Sequence, residues 1–141
     1  MPILSPPLLE GVGGRPHFME IGQTYTQTII VQDKDSARSL GSGSLDVFGT
    51  PAMIALMENT ALEMVRPALP EGNDTVGIEI NAKHLKASPI GAKITCKATI
   101  TAIEGRKISY ELIATDASGD TIGSATHDRF VVDIVKFMSK L

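Results

Sequence analysis

The chain has 141 residues, 43% of them hydrophobic and 21% charged, with a net charge of −3. That balance fits one globular domain spanning residues 1–141, with enough apolar material for a real core, and excludes a disordered chain. Lys and Arg are scattered among the acids, so there is no basic stripe for a nucleic-acid partner, and the single cysteine, Cys96, excludes an internal disulfide framework.

No run approaches the roughly 18–20 apolar residues that a bilayer span requires, so no membrane partner is expected. The start, Met1 to Pro7, has neither a basic region nor an uninterrupted apolar stretch. It does not read as a signal peptide, and a cytoplasmic address is the default expectation. Residues 1–23 carry Pro2, Pro6, Pro7 and Pro16 with Gly11, Gly13 and Gly14, the composition of an extended lead-in. Thr24 to Val31 is rich in β-branched residues and predicts the first strand. From Gln32 to Gly49 the chain reads as a long, flexible connection, with charges at Asp33, Lys34 and Asp35 and then Gly41-Ser42-Gly43-Ser44.

A helix follows. Thr50 is the expected N-cap and Pro51 the first helical residue, and the segment closes before Pro67. At 100° per residue, Met53, Ile54, Met57, Ala61, Met64 and Val65 share a sector about 120° wide, the stripe of a core-facing helix. Glu58 lies at the edge of that stripe.

Thr75 to Ile80 predicts a short strand with Gly77 inside it, and a glycine there marks the close approach of a ligand or another backbone. The chain then leaves the strand through His84 and bends at Ser88-Pro89 and Gly91. Three long strands finish the fold. Ile94, Cys96, Ala98, Ile100 and Ala102 alternate with polar residues, as do Ile108, Tyr110, Leu112 and Ala114, and Thr121 to Asp133 forms the last strand. Their short connections predict an antiparallel meander. A strand, one apolar helix and four more strands describe an α+β hot-dog fold, an antiparallel β-sheet wrapped around one central α-helix. The exposed edges of such a sheet make a homodimer the expected completion.

Several side chains can carry chemistry. Glu58 is placed to serve as general base, acid or nucleophile, or else to snorkel to solvent. His84 is either a proton carrier or a satisfied structural residue. Thr50 has a sufficient role as a cap, worth about 1 kcal/mol, beside a possible one in binding an oxygen at the helix N-terminus. His127 and Arg129 share a face of the last strand, where Arg129 would meet a phosphate, fix a carboxylate or form a cross-strand salt bridge. Cys96 points with the apolar set and reads as inert core, and Met53, Met57 and Met64 read as core packing. His17, His84 and His127 lack ligand spacing, so no metal is expected.

Four pieces in order resemble a known family: Val47-Phe48-Gly49-Thr50 leading into Leu56-Met57-Glu58; Thr75-Val76-Gly77; His84 followed by Ala87-Ser88-Pro89-Ile90-Gly91; and Ile122 to Arg129. Over roughly residues 20–138 the chain resembles the hot-dog thioesterases related to fluoroacetyl-coenzyme A thioesterase. The resemblance implies hydrolysis of an acyl-CoA thioester, with CoA as part of the substrate and no separate cofactor. It implies Thr50, Glu58 and His84 as the catalytic set, and Gly77, Arg129 and Phe48 as substrate-binding residues. By the same likeness Glu58 attacks the carbonyl or activates water, His84 handles protons, and the Gly77 N–H binds the oxyanion. Two departures stand out. The segment from Asp33 to Asp46 has no aromatic residue where the fluoroacetyl-specific enzyme carries a longer, aromatic-bearing lid, and Asn59 stands where that enzyme has a bulkier aromatic. Selective fluoroacetyl hydrolysis is therefore not expected. The alternatives are a non-catalytic hot-dog module that binds acyl-CoA or an acyl carrier, and a hot-dog hydratase or dehydratase. The last is weakened by the lack of an Asp-plus-His motif entering the helix.

One geometric tension accompanies the resemblance. On a regular helix Thr50 and Glu58 are a little over two turns apart, ~12 Å along the axis. Either the first turns are irregular, or the two act on different parts of the substrate, or a second protomer supplies part of the set.

Overall fold

The computed structural model describes residues 19–141. Most of the expected lead-in, His17 included, lies outside them. Five strands form one antiparallel sheet: β1 (Thr24–Ile30), β2 (Asn73–His84), β3 (Lys93–Glu104), β4 (Lys107–Thr115) and β5 (Thr121–Asp133). Their spatial order is β1-β3-β4-β5-β2, which leaves β1 and β2 at the edges. Tight turns at Gly105 and Gly119, both with positive φ, join β3 to β4 and β4 to β5 as the meander requires.

Between β1 and β2 the chain makes a short helix α1 (Ala37–Leu40) and the long helix α2 (Thr50–Val65). The expected flexible connection is thus partly built. Gln32 and Asp35 form a reciprocal capping box around a 3-10 turn, and the Ser36 side chain accepts from the Ser39 N–H to start α1. A six-residue helix, α3 (Ile134–Ser139), ends the chain and was not evident from periodicity.

Helix α2 buries Met53, Leu56, Met57, Thr60, Ala61, Met64 and Val65 against the concave face of the sheet. Each large apolar side chain removed from water there contributes about 1.5–3 kcal/mol. The stripe is turned slightly from the expected one: Ile54 is only half-buried, while Leu56 and Thr60 are inside. Thr60 is tolerated because its hydroxyl donates to the Leu56 carbonyl (2.7 Å) and accepts from Gln27 Nε2 (3.0 Å). Opposite, Ile94, Cys96, Ala98 and Ile100 of β3 and Ile108, Tyr110, Leu112 and Ala114 of β4 are buried in strict alternation. Gly123 of β5 lets the helix and β2 approach, since a methyl group there would meet the Met53 sulfur and lie 2.9 Å from the Lys83 carbonyl oxygen.

Strand β2 runs further than its sequence suggests, pairing with β5 from Asn73 opposite Asp133 to His84 opposite Gly123. Its register shifts once, between Gly77 and Glu79. That bulge inserts one residue and exchanges the faces of everything beyond it.

Candidate active site

The expected cap is displaced by one residue. Gly49, with extended backbone (φ −74°, ψ 142°), is the N-cap of α2, and Thr50 is its first helical residue, followed by Pro51. Gly and Thr both suit the cap, and proline is tolerated anywhere in the first turn, where its missing N–H has no intrahelical acceptor. The shift releases the Thr50 hydroxyl from capping. It lies instead 2.9 Å from Nδ1 of His84, the last residue of β2. Phe48 is buried beside this pair and meets the imidazole edge-on, with ring centroids 6.2 Å apart. Its backbone N–H donates to the Ser88 carbonyl (2.8 Å), fastening the segment that enters α2 to the one that leaves β2.

Phe48, Thr50, His84, Leu85, Lys86 and Ala87 line a cleft of about 300 Å³ together with Ser42 and Val47. The Lys86 ammonium is drawn away by Asp116 (2.6 Å) and Asp120 (2.7 Å) on the β4–β5 turn. Nε2 of His84 is buried and has no hydrogen-bond partner. Burial lowers the His84 pKa below its usual 6.5, and the backbone of Lys86, which lies outside hydrogen-bond geometry, opposes the shift. Burial therefore favours the neutral ring over the charged one.

Glu58 belongs to a second cluster, further along α2. Its Oε2 lies 3.5 Å from Nη1 of Arg129, with the arginine side chain 8% exposed and the glutamate 42%. Arg129 thus faces a carboxylate of its own chain. Its other nitrogens are occupied by Thr75, Nε donating to the hydroxyl (2.9 Å) and Nη2 to the carbonyl (3.0 Å). This fork fixes the guanidinium plane. Gly77 sits directly under the carboxylate: an added methyl would lie 2.5 Å from Glu58 Oε2, 3.2 Å from His127 Cε1 and 3.3 Å from Arg129 Nη1. What approaches this glycine is a side chain rather than another backbone. Thr75 opens the Thr75-Val76-Gly77 motif but was given no role of its own; it shares the inward face with Gly77 and holds Arg129.

The six expected residues thus fall into two groups. Thr50, His84 and Phe48 gather at the N-terminus of α2, while Glu58, Gly77 and Arg129 gather near its middle. Helix α2 is regular from Thr50 to Val65, so the ~12 Å rise between Thr50 and Glu58 stands. Among the described residues no group of three or more His, Cys, Asp or Glu side chains is placed to hold a metal ion. No helix among them is long and apolar enough to cross a membrane.

An antiparallel sheet curled over one buried helix, with polar groups of this kind on the helix and the adjoining edge strand, defines a hot-dog protein of the thioesterase superfamily. The model of the fluoroacetyl-CoA-specific thioesterase family, FlK, matches residues 31–135. The fluoroacetyl-CoA thioesterase of Streptantibioticus cattleyicolor is 33% identical over 129 residues, covering 87% of this chain and 92% of that protein. A threonine-to-serine variant of FlK in complex with acetyl-CoA superimposes with a TM-score of 0.82 at 32% identity, over 86% of this chain and 96% of the other. A thioesterase superfamily member from Thermus thermophilus shares the fold, with a TM-score of 0.80 at 22% identity over 86% and 89% of the two chains. The chain belongs to the fluoroacetyl-CoA-specific thioesterase family and is a thioester hydrolase.

Proposed function

We propose that this protein hydrolyses a short or medium acyl-CoA thioester to the free acid and CoA, with Glu58, His84 and Thr50 as its catalytic groups. The observation that carries this reading is the pairing of Thr50 with His84. It holds the imidazole by Nδ1 at the mouth of a cleft and leaves Nε2 unpartnered. In this reading Glu58 either attacks the thioester carbonyl, expelling the thiolate and forming an anhydride that water then opens, or deprotonates the water that attacks that carbonyl. The Gly77 N–H stabilises the oxyanion, and His84 carries the proton to the departing thiolate. Phe48 walls the acyl or pantetheine end of the cleft.

The separation of the two clusters supports a site shared between two copies. Strand β2 is an edge, and it exposes Ile78, with Leu85 exposed just beyond its end. An exposed apolar edge of this kind is a surface for self-pairing. A two-fold axis through Asn81, with the bulge at Ile78 taking up one residue, would set Gly77 of one copy opposite His84 of the other, uniting Glu58 with the Thr50–His84 pair across the interface.

Fluoroacetyl selectivity is not part of the proposal. The segment before α2 is a capped turn and one short helix without an aromatic side chain until Phe48. Asn59, beside Glu58, accepts from Gln27 Nε2 (3.0 Å) and borders a cleft of about 420 Å³ with Ala52 and Ala55.

Thiol release from a panel of acyl-CoAs tests the reading. Turnover by the wild type and a loss of at least about 100-fold in Glu58→Gln and in His84→Ala are expected. Unchanged turnover in both variants would contradict it. Saturable binding of CoA esters without turnover on any of them would replace it with a binding module.

A further inference from the structure

His127 is not among the residues assigned a catalytic role, yet its ring joins both halves of the network around Glu58. It is 2% exposed, on the inward face of β5. Nδ1 lies 2.7 Å from the carbonyl oxygen of Glu79. A carbonyl only accepts, so Nδ1 carries the proton. Nε2 lies 3.2 Å from Arg129 Nη1, and a guanidinium only donates, so Nε2 is bare. The two neighbours select a single neutral tautomer.

Both contacts reach the site. Arg129 Nη1 is the nitrogen that faces Glu58 Oε2, and Glu79 is the residue at which β2 resumes its register after the bulge. We propose that His127 is a positioning residue for the hydrolysis: it seats Arg129 against Glu58 and ties off the bulge that turns both Gly77 and His84 toward α2. This inference rests on the reading of Glu58 as the catalytic carboxylate.

The groups that face the ring come from every side. They are Arg129 on β5, Glu58 on α2, the Glu79 carbonyl on β2, and Tyr110 on β4, stacked at 6.0 Å between centroids; Asp128, next along β5, lies on the outer face and acts only through its charge. Burial first, and then the Arg129 charge, lower the His127 pKa below 6.5, against the opposite pull of the Glu79 carbonyl, Glu58 and Asp128. A second proton on Nε2 would set two donors face to face and release Arg129.

Three substitutions separate the two contacts. His127→Phe keeps the ring and its stacking on Tyr110 but neither polar atom. His127→Gln keeps an acceptor near Nε2, and His127→Asn keeps a donor near Nδ1. Expected for His127→Phe is a kcat loss of about 100-fold with KM little changed, the scale of a misplaced catalytic group. His127→Gln is expected to restore most of kcat, because it reseats Arg129. In a Glu58→Gln background, His127→Phe is expected to add no further loss. Nitrogen-15 NMR of the wild-type imidazole is expected to show a protonated Nδ1 and a bare Nε2 at neutral pH. Wild-type kcat in His127→Phe, multiplicative losses in the double variant, or a protonated Nε2 would each overturn the proposal, and the NMR measurement stands even where a variant fails to fold. Full turnover in Glu58→Gln would instead overturn the reading of Glu58, and the positioning role with it.

Discussion

Gly77 and His84 stand an odd number of residues apart on β2, yet both face helix α2. The first lies under Glu58 and the second is bonded to Thr50. A regular strand would turn one of them outward. The register shift between Gly77 and Glu79 restores the parity, so one bulge determines whether the edge strand can serve the site at two points.

That arrangement makes Gly77→Ala informative. The new methyl would lie 2.5 Å from the end of the Glu58 side chain, which can swing away, rather than against backbone. The fold is expected to survive with its melting temperature nearly unchanged, while kcat falls by about 100-fold as the carboxylate leaves its seat. Thermal melting beside thiol release checks this. A variant with full activity would mean that Glu58 is not held where the reaction occurs.

Thr50 separates a capping role from a site role. Gly49 takes the cap, so Thr50→Val is expected to change stability by no more than about 0.5 kcal/mol, against about 1 kcal/mol for a lost cap. Activity is expected to fall on the order of tenfold, the scale of one orienting hydrogen bond, and Thr50→Ser is expected to retain it. Urea unfolding and thiol release on the two variants distinguish these roles.

Stability is expected to depend on pH through two histidines. Burial lowers the pKa of both His84 and His127 below 6.5 in the folded chain. Below that value the unfolded state binds more protons than the folded one, so unfolding free energy rises with pH there. The contribution is fully present above pH ~6.5 and is lost as pH falls through the folded values. Urea midpoints at pH 7.5 and at decreasing pH down to 5 check the sign. Replacing His127 by Gln is expected to flatten the slope.

Much of the fold was legible because each strand of the meander alternates cleanly and one apolar stripe marks α2. The limits are equally physical. The bulge was signalled only by Gly77, which fits a close approach equally well, while Val76, Ile78 and Ile80 alternate as in a regular strand. Asn81 is a poor strand former, which hid the extension of β2 to His84, where pairing with β5 overrides propensity. Gly49 and Thr50 are both good caps ahead of a proline, so the helix start is ambiguous by one residue, enough to change what the Thr50 hydroxyl does. The capping signals at Gln32, Asp35 and Ser36 were present, but four residues of α1 are too few to show a period. The candidate residues could be named in order from their motifs. Their division into one group at Thr50 and another at Glu58 follows only from a regular α2.

That division points to the most direct test, which is complementation between two damaged chains. Glu58→Gln and His84→Ala protein are mixed, allowed to exchange subunits, and assayed for thiol release from acetyl-CoA. If the site takes Glu58 from one copy and His84 from the other, each hybrid dimer carries one intact site, and random exchange returns about a quarter of wild-type activity. A mixture as inactive as either variant alone would contradict a shared site built from these two residues.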